Sequence, residues 1–174
     1  SIRPGWFYHP AEDARVKSVD QLAGLYYTSV GRNSKLLLNV PPTREGLLHA
    51  TDVSRLAAMR ARLVAAFSDD LTRGVTVRWR DISERGAVAE LDLGRTVTVG
   101  MTELREDIQH GQFVASYLLE GADDSGWQPL TRGTTIGYCR IDRFSSVQVR
   151  RLRLTIEDAV ATPGEVRIGL YEGG

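Results

Sequence analysis

The chain changes its hydrophobic rhythm once. Up to about residue 70 apolar positions recur at helical spacing, and beyond it they alternate in short runs. In the first part, Ser18 followed three residues later by Gln21 is a capping box and predicts a helix from Val19 to Val30, with Leu22, Leu25, Tyr26 and Val30 as its buried stripe and Gly31 as its C-terminal cap. Lys35 to Val40 (KLLLNV) is nearly all apolar and reads as a strand buried on both faces, as in a parallel sheet, stopped by Pro41-Pro42. A second helix is predicted from Thr51 or Asp52 to Phe67, with Val53, Leu56, Met59, Leu63 and Phe67 inward and Arg55, Arg60 and Arg62 mostly outward.

The second part reads as about seven short strands: Val75 to Arg80, Ala87 to Leu93, Thr96 to Val99, Gln112 to Leu119, Thr134 to Ile141, Val147 to Ile156 and Glu165 to Tyr171. Glycine-bearing turns separate most of them, as in an antiparallel β-sandwich. Within Val147 to Ile156 the core set is Val147, Val149, Leu152, Leu154 and Ile156, and Arg150-Arg151 marks a bulge that shifts the alternation. Helix, strand, loop, helix is the closing portion of an α/β repeat, and one buried strand cannot make a parallel sheet alone. Its neighbours are therefore expected upstream of Ser1, or in another chain, and the opening in mid-motif without Met fits the later part of a longer polypeptide. The fold expected is α/β plus all-β. Residues 1–70 would be the last strand and helices of a (β/α)8-like TIM barrel, and residues 71–174 an antiparallel β-sandwich of galactose-binding-like type.

Composition adds exclusions. The 174 residues are 42% hydrophobic, enough for a buried core, and 22 Lys plus Arg balance 22 Asp plus Glu, so no net field favours nucleic acid or an anionic membrane. No apolar run approaches the roughly 18 residues of a membrane span. The lone Cys139 excludes an internal disulfide and a cysteine-based zinc site, and it reads as a buried small hydrophobe.

The chemistry concentrates in Ser1 to Asp13 (SIRPGWFYHPAED). Trp6, Phe7 and Tyr8 in a row cannot all face one core, so some line a cavity or an interface. With Arg3, His9 and Glu12 beside them, the mixture suits a polar-ligand site such as one for a sugar, whose C–H faces stack on aromatics while its hydroxyls take hydrogen bonds. Arg3 is read as a partner for substrate or for an upstream carboxylate, against a rim salt bridge worth little. Asn39, at the end of the predicted strand, either orients the site or ties down the Pro41-Pro42 turn. Glu12 is weighed as an acid with a raised pKa against solvation of a helix end. Further along, Trp127 and Tyr138 are read as a carbohydrate platform or as core plugs, Asp123-Asp124 with Asp142 as a calcium site or a solvated turn, and Arg150, Arg151 and Arg153 as a solvated basic face or a surface facing the barrel, ahead of a nucleic-acid site.

The runs SIRPGWFYHPAED, YYTSVGRNSKLLLNVPPTREGLL and TDVSRL resemble the C-terminal end of the catalytic barrel of the glycoside hydrolase family 29 α-L-fucosidases. The stretches WQPLTRGTTIGYCRIDRF and VRRLRLTIED resemble the sandwich that follows it. The resemblance implies a retaining exo-glycosidase that removes terminal α-L-fucose from glycans with an aspartate nucleophile and a glutamate acid/base. Retention needs the two carboxyl groups only about 5 to 5.5 Å apart. By resemblance both lie before Ser1, so no catalytic residue is expected in this chain, which alone is expected to be inactive.

Trp6, with Arg3 and His9, would form one wall of the sugar pocket, supported by Asn39 and Glu12, without metal or cofactor. The partners implied are a fucosylated glycan and the upstream barrel of the same protein, with no nucleic acid and no membrane span. A secreted, periplasmic or lysosomal setting follows from the resemblance alone. The competing readings are a non-catalytic carbohydrate-binding module and a structural sandwich that buttresses the barrel.

Overall fold

The computed structural model describes residues 1–173, which form two compact units. Residues 1–30 and 34–68 make the first, and residues 31–33 join the chain from Asp69 onward in the second.

In the first unit a 3-10 turn (Pro10–Arg15) precedes α1 (Val19–Ser29) and α2 (Ala50–Ala66). The capping box forms as read from the sequence: the Gln21 N–H donates to Ser18 Oγ at 3.2 Å, and the Ser18 N–H donates to Gln21 Oε1 at 2.9 Å. The end of α1 differs. Val30 closes it in right-handed conformation, and the left-handed residue of the following turn is Asn33, with φ 62°, rather than Gly31. Asparagine tolerates that region because its short polar side chain bonds locally.

Helix α2 starts earlier than expected because His49 is its N-cap, its Nδ1 accepting the Thr51 N–H at 3.3 Å. That phase buries Asp52 and Met59, with Leu56 and Leu63 packed beside them, and leaves Val53 48% exposed. Asp52 thus replaces Val53 on the inner stripe, a placement that only a buried cation makes tolerable. Phe67, expected on the same stripe, packs against the rings of Tyr26 and Tyr27.

Lys35 to Val40 also departs from expectation. It takes no strand partner among the described residues. Leu36, Leu38 and Val40 pack onto the cluster of Ile2, Leu22 and Met59, while Leu37 is 94% exposed. The segment alternates and is covered on one face only.

The second unit holds β1 (Arg78–Arg80), β2 (Ala87–Glu106), β3 (Val114–Asp123), β4 (Gly126–Gly133), β5 (Arg140–Ala159) and β6 (Val166–Tyr171). All pairings are antiparallel, in the order β1-β2-β5-β3-β4, with β6 also on β2. The runs expected separately at Ala87 and Thr96 are one strand, interrupted by a bulge where Gly94 takes φ 71° and its N–H donates to Asp92 Oδ1 at 2.8 Å. Thr134 to Cys139 is irregular rather than strand, and β5 begins at Arg140. Strand β4 lies at the edge, where Pro129 costs no central ladder bond, and it sits beside a register shift between Leu119 and Glu120.

Strands β2 and β5 pair from Ala87↔Ile156 to Leu104↔Arg140, with shifts at Asp92/Val97 and Val99/Met101. The first lies opposite Arg150-Arg151, where the inward set passes from Val149 to Leu152 and both arginines stay exposed. Strand β1 joins the first half of β2 and β6 its last residues, so β2 pairs with β1, β5 and β6 along its length. Ala89, Leu91, Tyr117, Leu119, Leu152 and Leu154 meet Leu104, Ile168 and Leu170 in one core. Gly121 has no room for a side chain there, because a Cβ would overlap Val149.

Candidate functional site

The opening loop is held from beneath by its own backbone and by Asn39. The Ile2 N–H donates to the Asn39 carbonyl at 2.8 Å, the Lys17 N–H donates to the Ile2 carbonyl at 3.0 Å, and the Ile2 side chain is fully buried. Ser1 Oγ donates to the Gly5 carbonyl at 2.8 Å, closing the Pro4-Gly5 turn. Glu12 accepts the Gly5 N–H at 3.2 Å, and Asn39 Nδ2 donates to the Trp6 carbonyl at 2.9 Å and to Ser1 Oγ at 3.1 Å. The backbone of Trp6 is therefore fixed while its side chain stands 65% exposed, with Phe7 beside it at 73%.

Arg3 anchors the loop from inside. It is 1% exposed, its Nε donates to Asp52 Oδ2 at 2.8 Å, and its Nη1 donates to Asp13 Oδ1 at 2.8 Å. Burial opposes the charge, but the two carboxylates outweigh it and hold the guanidinium above its ordinary pKa. The Tyr8 ring lies 4.8 Å from the guanidinium carbon, its hydroxyl reaches Asp13 Oδ2 at 3.4 Å, and His49 Nε2 is 3.5 Å from the same oxygen. Burial, then the Asp13 charge, push the Tyr8 phenol up.

This geometry sorts the residues that the sequence singled out. Trp6 faces outward on a fixed backbone. Asn39 and Glu12 hold that backbone, which places them as positioning groups. His9 is exposed and precedes the 3-10 turn, its carbonyl accepting the Glu12 N–H at 2.9 Å without a side-chain cap bond. Arg3 is placed differently from expectation: its fork turns inward to Asp52 and Asp13, where it supports the loop instead of meeting a ligand. Tyr8, Asp13, His49 and Asp52 belong to the same network. The available signal for them was His49 ahead of Ala50-Thr51-Asp52, a capping residue followed by an acid on the inner face. Glu12 accepts a backbone N–H, and Asp13 and Asp52 each accept from Arg3.

The sandwich candidates resolve as follows. Trp127 lies beneath guanidinium carbons, Arg153 at 4.3 Å and Arg151 at 5.4 Å from its ring, and Tyr138 lies beside Arg105 at 5.3 Å. Asp123 Oδ1 takes the Ser125 N–H at 2.8 Å and its hydroxyl at 2.6 Å, a local turn. Asp142 is 4% exposed and engaged by Tyr117, Arg140 and Arg32, so the calcium reading of these aspartates fails. Among the described residues no group of three or more His, Cys, Asp or Glu side chains is placed to hold a metal ion. Cys139 is fully buried and burial pushes its thiol up, as for an inert small hydrophobe. Arg153 pairs with Glu120 at 2.7 Å and Arg150 with Asp92 at 3.5 Å, so the basic run is largely neutralised.

No family model matches the chain. Alpha-L-fucosidase 1 of Arabidopsis thaliana is 33% identical over 98% of this chain and 39% of its own length. The crystal structure of a glycoside hydrolase 29 family member from an unknown rumen bacterium superposes with a TM-score of 0.88 at 34% identity, covering 99% of this chain and 32% of that one. A GH29 fucosidase of Ruminococcus gnavus in complex with fucose gives 0.85 at 26%, covering 99% and 40%. The chain spans 36 to 39% of the length of the curated relatives it matches. Sequence and fold agree on one conclusion: the chain belongs to the glycoside hydrolase family 29 fucosidases, whose C-terminal part it represents.

Proposed function

We propose that this chain contributes one wall of the sugar pocket of a retaining α-L-fucosidase that removes terminal α-L-fucose from glycans. The nucleophilic aspartate and the glutamate acid/base belong, in this reading, to the barrel that precedes Ser1 in the longer protein. The first 70 residues complete that barrel and the remainder is its sandwich. The observation that carries the proposal is Trp6, exposed on a backbone that Asn39 and Glu12 pin, in a chain one-third identical to an α-L-fucosidase.

An outward indole suits fucose because the 6-deoxy methyl group gives it an apolar contact that other hexoses lack. His9 stands three residues along, where its imidazole offers a hydrogen bond to a sugar hydroxyl. Arg3 acts through the loop, with Asp52 and Asp13 fixing its fork. A compartment outside the cytosol accompanies this reading on family grounds.

Hydrolysis of an aryl α-L-fucoside tests it. In the longer protein, Trp6→Ala should lower kcat/KM by roughly ten- to hundredfold, about the worth of one aromatic contact, and Trp6→Phe should recover part of the loss. The chain of residues 1–174 alone should show no turnover. Unchanged kcat/KM in Trp6→Ala would remove Trp6 from the pocket, and turnover by the isolated chain would place the nucleophile within it.

A further inference from the structure

The outer surface of the sandwich carries cross-strand rows of polar side chains. Register sets Arg78 opposite Glu90, Glu90 opposite Arg153, Arg153 opposite Glu120, and Asp92 opposite Arg151. Ala122 lies opposite both Arg151 and Trp127 and is fully buried, so a small residue sits between a guanidinium and an indole. Arg153, held by Glu120 at 2.7 Å, lies over the indole at 4.3 Å and fixes its plane.

Beside this row is a cavity of about 570 Å³. Gly74 to Thr76 and Arg78 form one side, Glu90 to Gly94 the floor, and Trp127 and Arg151 the other side. That volume is within the range of sites that take small ligands, roughly 300 to 1,000 Å³. Its charges cancel, Arg78 and Arg151 against Glu90 and Asp92, so the walls favour neither an anion nor a cation.

The polar groups are also held in place. Glu90 is bonded by Arg80 at 2.8 Å, and Asp92 accepts the Gly94 N–H at 2.8 Å. That backbone bond, with the charges of Arg150 and Arg151 added, keeps the Asp92 carboxyl below its ordinary range. Among the described residues Arg151 forms no ion pair, and its guanidinium contacts the Trp127 ring. An indole, an unpaired guanidinium fork and two carboxylate acceptors around a charge-neutral hollow match a ligand that is uncharged, has an apolar face and carries several hydroxyls.

We propose that the cavity bounded by Trp127, Arg151, Glu90 and Asp92 on the outer face of the sandwich is a binding site for a neutral saccharide. The indole contacts a C–H face of one sugar ring, the Arg151 fork donates to ring or hydroxyl oxygens, and Glu90 and Asp92 accept from hydroxyls. This goes beyond the fucoside pocket and does not depend on hydrolysis.

The test uses the 174-residue chain labelled with nitrogen-15, whose three indole N–H signals come from Trp6, Trp79 and Trp127. It is titrated with the methyl glycosides of galactose, glucose, mannose, N-acetylglucosamine and fucose, and separately with inorganic phosphate. A saturable shift of the Trp127 indole by at least one glycoside is expected, about tenfold weaker in Arg151→Ala and unchanged in Trp6→Ala, while in Trp127→Ala, which lacks that indole, the backbone amides of Glu90 and Asp92 should report binding weakened about tenfold. Arg151 is exposed, so its variant keeps the fold and decides the matter should Trp127→Ala fail to fold. The absence of saturable shift with every glycoside would overturn the proposal. So would a shift confined to Trp6, or tighter binding of phosphate than of any saccharide. Failure of the fucosidase reading would instead show as unchanged turnover in Trp6→Ala, and neither result bears on the other.

Discussion

Replacing Asp52 by alanine tests whether the buried pair with Arg3 holds the opening loop. Both side chains are fully buried and 2.8 Å apart. Removing one partner of such a pair costs about 3 to 5 kcal/mol, because the remaining charge stays out of water uncompensated. Here the second carboxylate, Asp13, remains on Nη1 at 2.8 Å, and it is one-third exposed, 34%, so it offsets only part of the loss. Arg3 Nη2 already lacks a hydrogen-bond partner among the described residues and offers no alternative.

The expected cost is therefore near the lower end, about 3 kcal/mol, or a fall of roughly 2 M in the urea midpoint of this unit at an m-value of about 1.5 kcal/mol/M. Amide exchange reads the same change locally, at the Ile2 and Lys17 N–H groups whose bonds bracket the loop. The double variant Arg3→Met/Asp52→Leu, which removes both charges and keeps the volume, should regain most of the stability. A cost below about 1 kcal/mol in Asp52→Ala, or a double variant no better than the single, would refute the reasoning.

Three further outcomes follow from the sandwich. Tyr117→Phe removes the hydroxyl donor to buried Asp142 while Arg140 stays at 2.8 Å, and should cost about 1 to 2 kcal/mol in chemical denaturation. Gly137→Ala puts a Cβ against the Asn33 side chain at φ 59°, and should lower stability by about 1 to 3 kcal/mol and release the Tyr138 N–H, now bonded to Asn33 Oδ1 at 2.8 Å, to exchange. Burial pushes the Tyr171 phenol up to about 12 from 10.0. The folded form keeps that proton longer than the unfolded one, so the stability it contributes is complete below pH 10.0 and is lost as pH rises to about 12. Tyrosine absorbance and the denaturation midpoint should change together across that window, and a midpoint flat through it would contradict the assignment.

Local signals in the sequence transferred to structure where the physics was local. The Ser18/Gln21 box needs only four residues, and it formed. The phase of Val147 to Ile156 also survived, because two adjacent arginines cannot both point into a core. The failures are non-local. Val53 looked like the inward residue of α2 until Arg3, far away in sequence, made Asp52 the better occupant of that face. Lys35 to Val40 looked buried on both sides because three leucines in a row report hydrophobicity without saying what covers it. Strand β4 was illegible, since Gly-Trp-Gln-Pro-Leu-Thr-Arg-Gly has no alternation and its pairing depends on being at an edge. For the site, the exposed aromatics were legible as too many for one core, whereas the inward turn of Arg3 was not, since an arginine in a loop gives no sign of the carboxylates it will meet.

The two long strands, β2 and β5, also set the order in which the second unit is made. Their nearest pair in sequence is Leu104 with Arg140 and their most distant is Ala87 with Ile156, so closure costs least at the hairpin-like end and rises toward the other. During synthesis β2 emerges complete and finds no long partner until β5 follows, after β3 and β4 have left the ribosome. In that interval a 20-residue strand is a template for pairing with a neighbouring chain. The charged residues on its outward face, Glu90 and Asp92 ahead of the glycine bulge and Arg95 behind it, then act as guards against premature association. Their neutralisation would lower the yield of soluble protein at high expression before it altered the folded state.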